Sequence, residues 1–182
     1  MAENTACPLG LAVSSFARRT RRCGYGRLQE EDRDRCRDAG APSSLMTSIR
    51  RILETALYCD RLDATAAFYH RLLDRAPMLA TTRLVAFDAG QGTVLLLFQK
   101  GASDESLETP GGVVPGHTGS GPTHLAFAIA AGEAGEWKTR LGELGIEIES
   151  EVSWERGGRS LYFRDSDGRS VELATPGLWP TY

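Results

Sequence analysis

The sequence has only four cysteines, Cys7, Cys23, Cys36 and Cys59, which lie far apart with no C-x-x-C pair and no histidine at zinc-ligand spacing. That excludes a disulfide framework and a zinc knuckle, and it makes a reducing cytoplasm the simplest setting. Long hydrophobic runs are missing too. The longest, such as Val94 to Phe98, fall far short of the ~20 residues that cross a bilayer, so no transmembrane helix is expected. The early apolar stretch Pro8 to Val13 follows no basic segment and leads into arginines instead of a small-residue cleavage site, which argues against a secretory leader. Net charge is small, −3 with a pI near 5.7. Such a chain has no long-range attraction for phosphate backbones or anionic lipid, so neither nucleic acid nor a membrane is an expected partner.

What is present is enough for one ordinary core, since 41% of the 182 residues are apolar. The apolar pattern is uneven. Residues 1–45 hold Arg18, Arg19, Arg21 and Arg22, a mixed-charge run from Glu30 to Asp38, and then Gly40 to Ser44. Such a segment buries too little apolar area to offset its ordering entropy, so it is expected to be largely disordered, with a short helix around Leu28 to Arg37 open to it. The acidic residues from Glu30 argue against a transit peptide. The alternative reading is that Met46 is the true start. Either way, the folded domain is expected over residues 46–182.

From Ile49 the patterning becomes regular. Ile52 to Tyr58 predicts a strand, and Asp60 an N-cap for a helix from Leu62 to Leu73, with Pro77 beyond its end. Leu84 to Phe87 and Thr93 to Phe98 predict two strands joined across Asp88 to Gly92. A Gly/Pro/Ser-rich stretch from Gly101 to Pro122 has no apolar period and predicts a linker or loop. The order then repeats: strand Thr123 to Ile129, helix Glu133 to Leu144, strand Ile146 to Ile148, and a hairpin of Arg159 to Arg164 with Arg169 to Ala174. The internal repeat decides the fold class. It is α+β, with paired βαβββ modules forming a curved-sheet cup and helices on the outer face.

Strand alternation shows which neighbours share a face with each polar residue. Glu54 sits with Ala56 and Tyr58, His124 with Ala126 and Ala128, and Glu172 with Ser170 and Ala174, while Leu53, Leu57, Leu125, Phe127, Val171 and Leu173 take the opposite faces. One imidazole and two carboxylates on a face of small residues make a reasonable set of donors for a divalent ion such as Zn²⁺, Fe²⁺, Mn²⁺, Ni²⁺ or Co²⁺. A carboxylate on a half-buried strand is costly unless it is paired or bound to a metal. Bland readings stand beside this one. Each residue taken alone has one: a satisfied core histidine for His124, a salt bridge to Arg159 or Arg164 for Glu172, and a pair with Arg50 or Arg51 for Glu54. Tyr58 is read as a rim residue in preference to a proton donor lining the cup, Trp137 as core, Trp154 as a loop aromatic over the cup, and His117 as a surface histidine in preference to one that a mobile loop brings to the site.

Three segments, Ile52 to Tyr69, Thr123 to Ile129 and Leu161 to Leu173, together resemble the glyoxalase / bleomycin-resistance / extradiol-dioxygenase superfamily, also called vicinal oxygen chelate, over Ile49 to Trp179. The most specific part is the run Tyr-Phe-Arg-Asp-x-Asp-Gly-x-x-Val-Glu-Leu. The resemblance implies a metal held by Glu54, His124 and Glu172, with Leu96 at the fourth ligand position. Leucine cannot ligate, so the four-ligand site of glyoxalase I is incomplete, and Glu54 stands where most metal-binding members carry histidine. The three-ligand members include fosfomycin-type thiol transferases, and Ser160 and Tyr162 match positions that touch substrate in that group.

What the resemblance implies is a metal-dependent lyase, isomerase or transferase acting on a small oxygenated molecule. In it Glu172 or Glu54 would also shuttle a proton, and Tyr162, Ser160 and Tyr58 would line the substrate site. The alternatives are a non-catalytic drug-binding protein of the bleomycin-resistance kind and a fosfomycin-type thiol transferase. A homodimer is expected, because an open cup with free sheet edges tends to be completed by a second chain.

Overall fold

The computed structural model describes residues 47–182; the extension expected over residues 1–45 and the alternative start at Met46 lie outside the described residues. The first module runs β1 (Glu54–Cys59), α1 (Leu62–Leu73), β2 (Leu79–Ala80), β3 (Leu84–Gly90) and β4 (Thr93–Gln99), in the sheet order β1-β4-β3-β2. A hairpin of β5 (Leu107–Thr109) and β6 (Gly112–Val114) follows. The second module runs β7 (His124–Ala128), α2 (Ala134–Glu143), β8 (Ile148–Ser153), β9 (Arg159–Arg164) and β10 (Ser170–Ala174), in the order β7-β10-β9-β8. In both sheets the first strand lies parallel to the last, which is antiparallel to the strand before it. The matching order supports the repeat read in the sequence. The fold is the expected mixed α+β arrangement of curved sheets with two helices, and no barrel closes.

Local chemistry explains where the elements begin and end. Helix α1 spans the predicted residues, but Asp60 does not cap it. Arg61 holds the cap position without a side-chain bond, and the Leu62 amide donates to Gln99 Oε1 on β4 at 3.2 Å. Asp60 pairs instead with Lys100 at 3.0 Å. The helix ends three residues before Pro77, at Asp74, whose φ of 54° is left-handed. In the second module, Ile146 does not start a strand, because its amide closes α2 on the Leu141 carbonyl. Strand β8 therefore begins at Ile148 and includes the polar run Glu149 to Ser153.

The two sheets share one core. Tyr69 and Phe68 project from α1 toward the second module, with ring centroids 6.4 Å from Phe127 and 6.5 Å from Phe163. Leu57, Leu95 and Leu97 of the first sheet join the same apolar cluster as Leu161, Val171 and Leu173 of the second. Trp137 packs against it, as expected. Cys59 is a free thiol buried in this cluster, and burial pushes it up from its ordinary pKa. With the large residues turned inward, the small-residue faces are left to point out.

A buried ion pair ties the two modules together. Arg169 donates to Asp165 Oδ2 at 2.7 Å and to Asp167 Oδ2 at 2.6 Å, and all three side chains are less than a tenth exposed. The same guanidinium donates to the Tyr58 carbonyl at the end of β1. The Asp60 amide bonds Asp167, and the Tyr69 hydroxyl donates to Asp165 at 3.1 Å. Burial, with the charge of Asp165, holds the Tyr69 phenol well above its ordinary pKa. The β9–β10 turn is thus fastened to β1 and α1.

Removing one partner of a buried pair strands the other charge, so Arg169→Met is expected to cost about 3–5 kcal/mol in urea unfolding. Arg164→Met, which removes the half-exposed pair with Glu149, is expected to leave the unfolding midpoint close to that of wild type, because solvent screens such a pair. Equal losses in the two variants would contradict this account.

Candidate functional site

His124 opens β7 and Glu172 lies at the centre of β10, and the parallel register sets Ser170 opposite His124 and Ala126 opposite Glu172. Alternation then puts both side chains on the outward face, where the imidazole reaches across to the carboxylate. His124 Nε2 lies 3.2 Å from Glu172 Oε2, and His124 Nδ1 lies 3.2 Å from Ser170 Oγ. The burial of the two residues is unequal. The imidazole is 50% exposed and the carboxylate 4%. Ala126, Ala128 and Ala174 are the small neighbours that leave this face open above His124.

Glu172 is the unusual member. Its Oε1 is buried and has no hydrogen-bond partner among the described residues. A carboxylate normally satisfies both oxygens when it leaves water, and an unmet one costs about 1–3 kcal/mol or more. The bland reading of a salt bridge to Arg159 or Arg164 does not hold, since Arg164 pairs with Glu149 at 2.6 Å and Arg159 with Glu151 at 3.5 Å. Both arginines are half-exposed surface charges.

The opposing strand supplies Tyr162, in register with Glu172, and Ser160, in register with Ala174. Burial raises the Tyr162 phenol above its ordinary pKa, and the adjacent Glu172 carboxylate raises it further by hydrogen bonding and charge. Ser160 is buried, and its Oγ accepts from the Trp154 indole at 2.8 Å. Trp154 thus braces the end of β9 from the β8–β9 loop.

The structure does not bring all the sequence-predicted residues together. Glu54, at the exposed start of β1 on the other sheet, does not join His124 and Glu172, and among the described residues no group of three His, Cys, Asp or Glu side chains is placed to hold a metal. Tyr58 and Leu96 share Glu54's face, with Leu96 in register with Ala56. The segment Gly101 to Pro122, read as a linker, folds back through the β5–β6 hairpin and lays His117 against this face. His117 is no free surface residue. Its Nδ1 lies 2.7 Å from Tyr58 Oη, and its ring meets Phe98 edge-on with centroids 4.8 Å apart. No periodicity could have signalled it, because the contact depends on the path of a segment without an apolar repeat.

With one buried carboxylate that has an oxygen to spare and one accessible imidazole, this face fits two donors of a divalent cation site, while Glu54, the third residue expected from the sequence, is on the other outward face.

Comparisons with known proteins agree with the fold. The family model described as Glyoxalase/Bleomycin resistance protein/Dioxygenase superfamily matches residues 51–173. A crystal structure of lactoylglutathione lyase from Agrobacterium tumefaciens is 36% identical, with a TM-score of 0.67 over 74% of this chain and 99% of that one. Metallothiol transferase FosB of Shouchella clausii is 27% identical over 121 residues, 64% of this chain and 74% of that protein. The fosfomycin resistance protein FosX from Listeria monocytogenes, solved with Mn(II) and sulfate, has the same fold at 23% identity, with a TM-score of 0.53 over 72% of this chain and 94% of that one.

The Tyr162 environment generates a pH-dependent expectation. A phenol whose folded pKa is raised keeps its stabilising contribution below the ordinary tyrosine pKa of about 10 and loses it as pH climbs through the folded value. Glu172→Gln removes the neighbouring charge, so Tyr162 should titrate closer to an ordinary tyrosine while staying above it through burial. NMR of ring-labelled tyrosine reads this directly, and an unchanged Tyr162 titration would break the assigned contact.

Proposed function

This chain belongs to the Glyoxalase/Bleomycin resistance protein/Dioxygenase superfamily, and from that premise we propose that it is a metal-dependent enzyme: a lyase, isomerase or transferase that acts on a small oxygenated molecule. The observation that carries the reading is the buried Glu172 carboxylate, with one oxygen beside His124 and the other unmet. Without a cation there, the fold would hold an uncompensated polar atom at the centre of a strand.

In this reading His124 and Glu172 hold a divalent ion together with Glu54, and Leu96 leaves one position for the substrate. The ion would act as a Lewis acid on substrate oxygen. The chain's own residues do the rest. Tyr162, in register with Glu172 on the neighbouring strand, flanks the carboxylate. Ser160, braced by Trp154, is placed to contact substrate from the same strand, and Ser170 holds the far nitrogen of His124. The ring orientation of a ligating histidine depends on such a partner for its second nitrogen.

Because Glu54 is on the other outward face, the third ligand is proposed to come from a second copy of the chain. Exposed apolar residues beside that face, Ile52 and Leu53 leading into β1, favour the same arrangement. A two-fold dimer would set the first sheet of each copy over the second sheet of the other, giving two equivalent sites. The names of the lactoylglutathione lyase and metallothiol transferase relatives both refer to sulfur compounds, so thiols and thiol adducts of small electrophiles belong in the first substrate panel, with fosfomycin among the electrophiles.

The test is metal stoichiometry by plasma mass spectrometry. Wild type is expected to bind one Mn²⁺ or comparable ion per chain, while Glu172→Ala and Glu54→Ala each lose it and stay folded. Unfolding and refolding the two variants as an equal mixture should restore about a quarter of the wild-type sites, since only mixed dimers hold one intact set. A folded wild type that takes up no divalent metal but binds hydrophobic drugs would overturn the reading in favour of a binding protein. Stoichiometric metal in Glu54→Ala alone would remove Glu54 from the ligand set.

A further inference from the structure

We infer that Tyr58 and His117 form a proton relay for the bound substrate, with Tyr58 as the catalytic member and His117 as the positioning residue behind it. The inference rests on the proposal that the outward face of the first sheet lines the substrate site.

The pair differs from the other hydroxyl contacts in the molecule. Tyr69 is fully buried and bonds a carboxylate within the ion-pair cluster, and Tyr182 donates to the Ile129 carbonyl, so both are tied into the fold. The Tyr58 hydroxyl instead meets an imidazole nitrogen, at 2.7 Å, and is only half-buried. Among the described residues neither Tyr58 Oη nor the His117 ring has another hydrogen-bond partner. In the proposed relay Nδ1 accepts from the phenol and the histidine carries its own proton on Nε2.

The phenol is held in place on several sides. Its ring stacks on Phe98 with centroids 6.0 Å apart, and His117 closes edge-on over both rings. Gly119 passes so close that a Cβ there would lie 2.7 Å from the Tyr58 ring. Only a glycine lets the return of this segment pass so close to the aromatic face. Pre-positioning of this kind is what a proton-transfer group needs and a surface tyrosine lacks.

A cavity of about 180 Å³ opens beside the phenol, lined by Ala56, Gly119 to Gly121 and Thr123. Thr123 directly precedes His124. Charged side chains also face this cavity, but they are committed to each other: Lys100 to Asp60 and Arg169 to Asp167. Tyr58 is thus the titratable side chain in its wall with no charged partner, and His117 backs it through the hydroxyl. Ala56 and Glu54 precede Tyr58 on the same strand face, which places the cavity beside the proposed third ligand.

The transfer balances as a proton shift alone. An acidic O–H or C–H proton of the bound molecule passes to Tyr58 Oη as the tyrosine's own proton passes to His117 Nδ1. This leaves an imidazolium and an electron pair on the substrate, and the reverse shift returns the proton to the product. No oxidant or reductant enters.

The experiment compares the full-length wild type with Tyr58→Phe, His117→Gln and His117→Asn. In His117→Asn the side-chain amide offers an oxygen near the position of Nδ1, so that variant keeps an acceptor for the phenol but cannot take its proton. Circular dichroism checks that each variant folds. On Mn²⁺-loaded protein with the thiol and fosfomycin panel, the folded variants are expected to lose about 10²-fold in kcat with little change in KM, and to lose one limb of the pH profile. Unchanged kcat and pH profile in folded His117→Asn would overturn the relay.

If the wild type turns over nothing in the panel, the functional proposal loses its support, and the pair is judged by ¹⁵N-histidine NMR. His117 should then hold the Nε2–H tautomer in wild type and become a tautomer mixture in Tyr58→Phe. An identical His117 spectrum in the two proteins would sink the inference.

Discussion

The structure depends on one buried guanidinium. Arg169 sits between two aspartates and beneath a backbone carbonyl of the other module, in a place that a neutral side chain of the same size would leave with two unpaired carboxylates. Burial by itself would make this arginine easier to deprotonate; the hydrogen bond and charge of Asp165 more than reverse that and raise its pKa. Replacing the whole cluster by apolar residues need not cost stability, whereas breaking it singly must. What the charges add is direction: in this docking of the β9–β10 turn the guanidinium meets both aspartates and the Tyr58 carbonyl at once. The strand that follows the turn carries Glu172, so the same contact fixes where the carboxylate stands.

From that docking the separation of faces follows. Once α1 is pressed between the first sheet and the aromatic side chains Phe127 and Phe163, the bulky residues of both sheets are used up in a common interior. Each sheet is left with an outward face of short side chains and a few functional groups. One face has His124, Glu172, Tyr162 and Ser160; the other has Glu54, Tyr58 and the returning segment with His117. Under the proposed ligand set, the two half-sites lie on opposite sides of one core, so a single chain would not hold a complete site.

Much of this was legible in the sequence because it is written in apolar periodicity. The two βαβββ runs, the span of α1 and the shared face of His124 and Glu172 all follow from which residues alternate and which recur every three to four positions. The rest was hidden for identifiable reasons. Strand β8 is polar on both sides because it is a sheet edge, so alternation does not mark it. Gln99, far along the chain, does the capping that Asp60 would do locally. The β5–β6 hairpin and His117 lie in a stretch whose only local signal is glycine. Asp165, Asp167 and Arg169 read as an ordinary turn, since nothing in a single sequence tells a solvated charge cluster from one that tertiary packing has closed over. Likewise, strand register could place Glu54 on the right kind of face but could not say that the face belongs to the other side of the core.

The polar edge has a consequence of its own. Along β8 the side chains of Glu149 and Glu151 are engaged sideways, with Arg164 and with Lys138 and Arg159, and the Arg164 hydrogen bonds hold the Glu149 carboxyl below its usual range. An incoming strand would have to dislodge these pairs and bring its own backbone against a row of carboxylates. The free margin of the second sheet is therefore a poor seed for end-to-end sheet extension. That leaves the faces for the proposed dimer, whose two-fold pairing would close on itself instead of running on into a fibre.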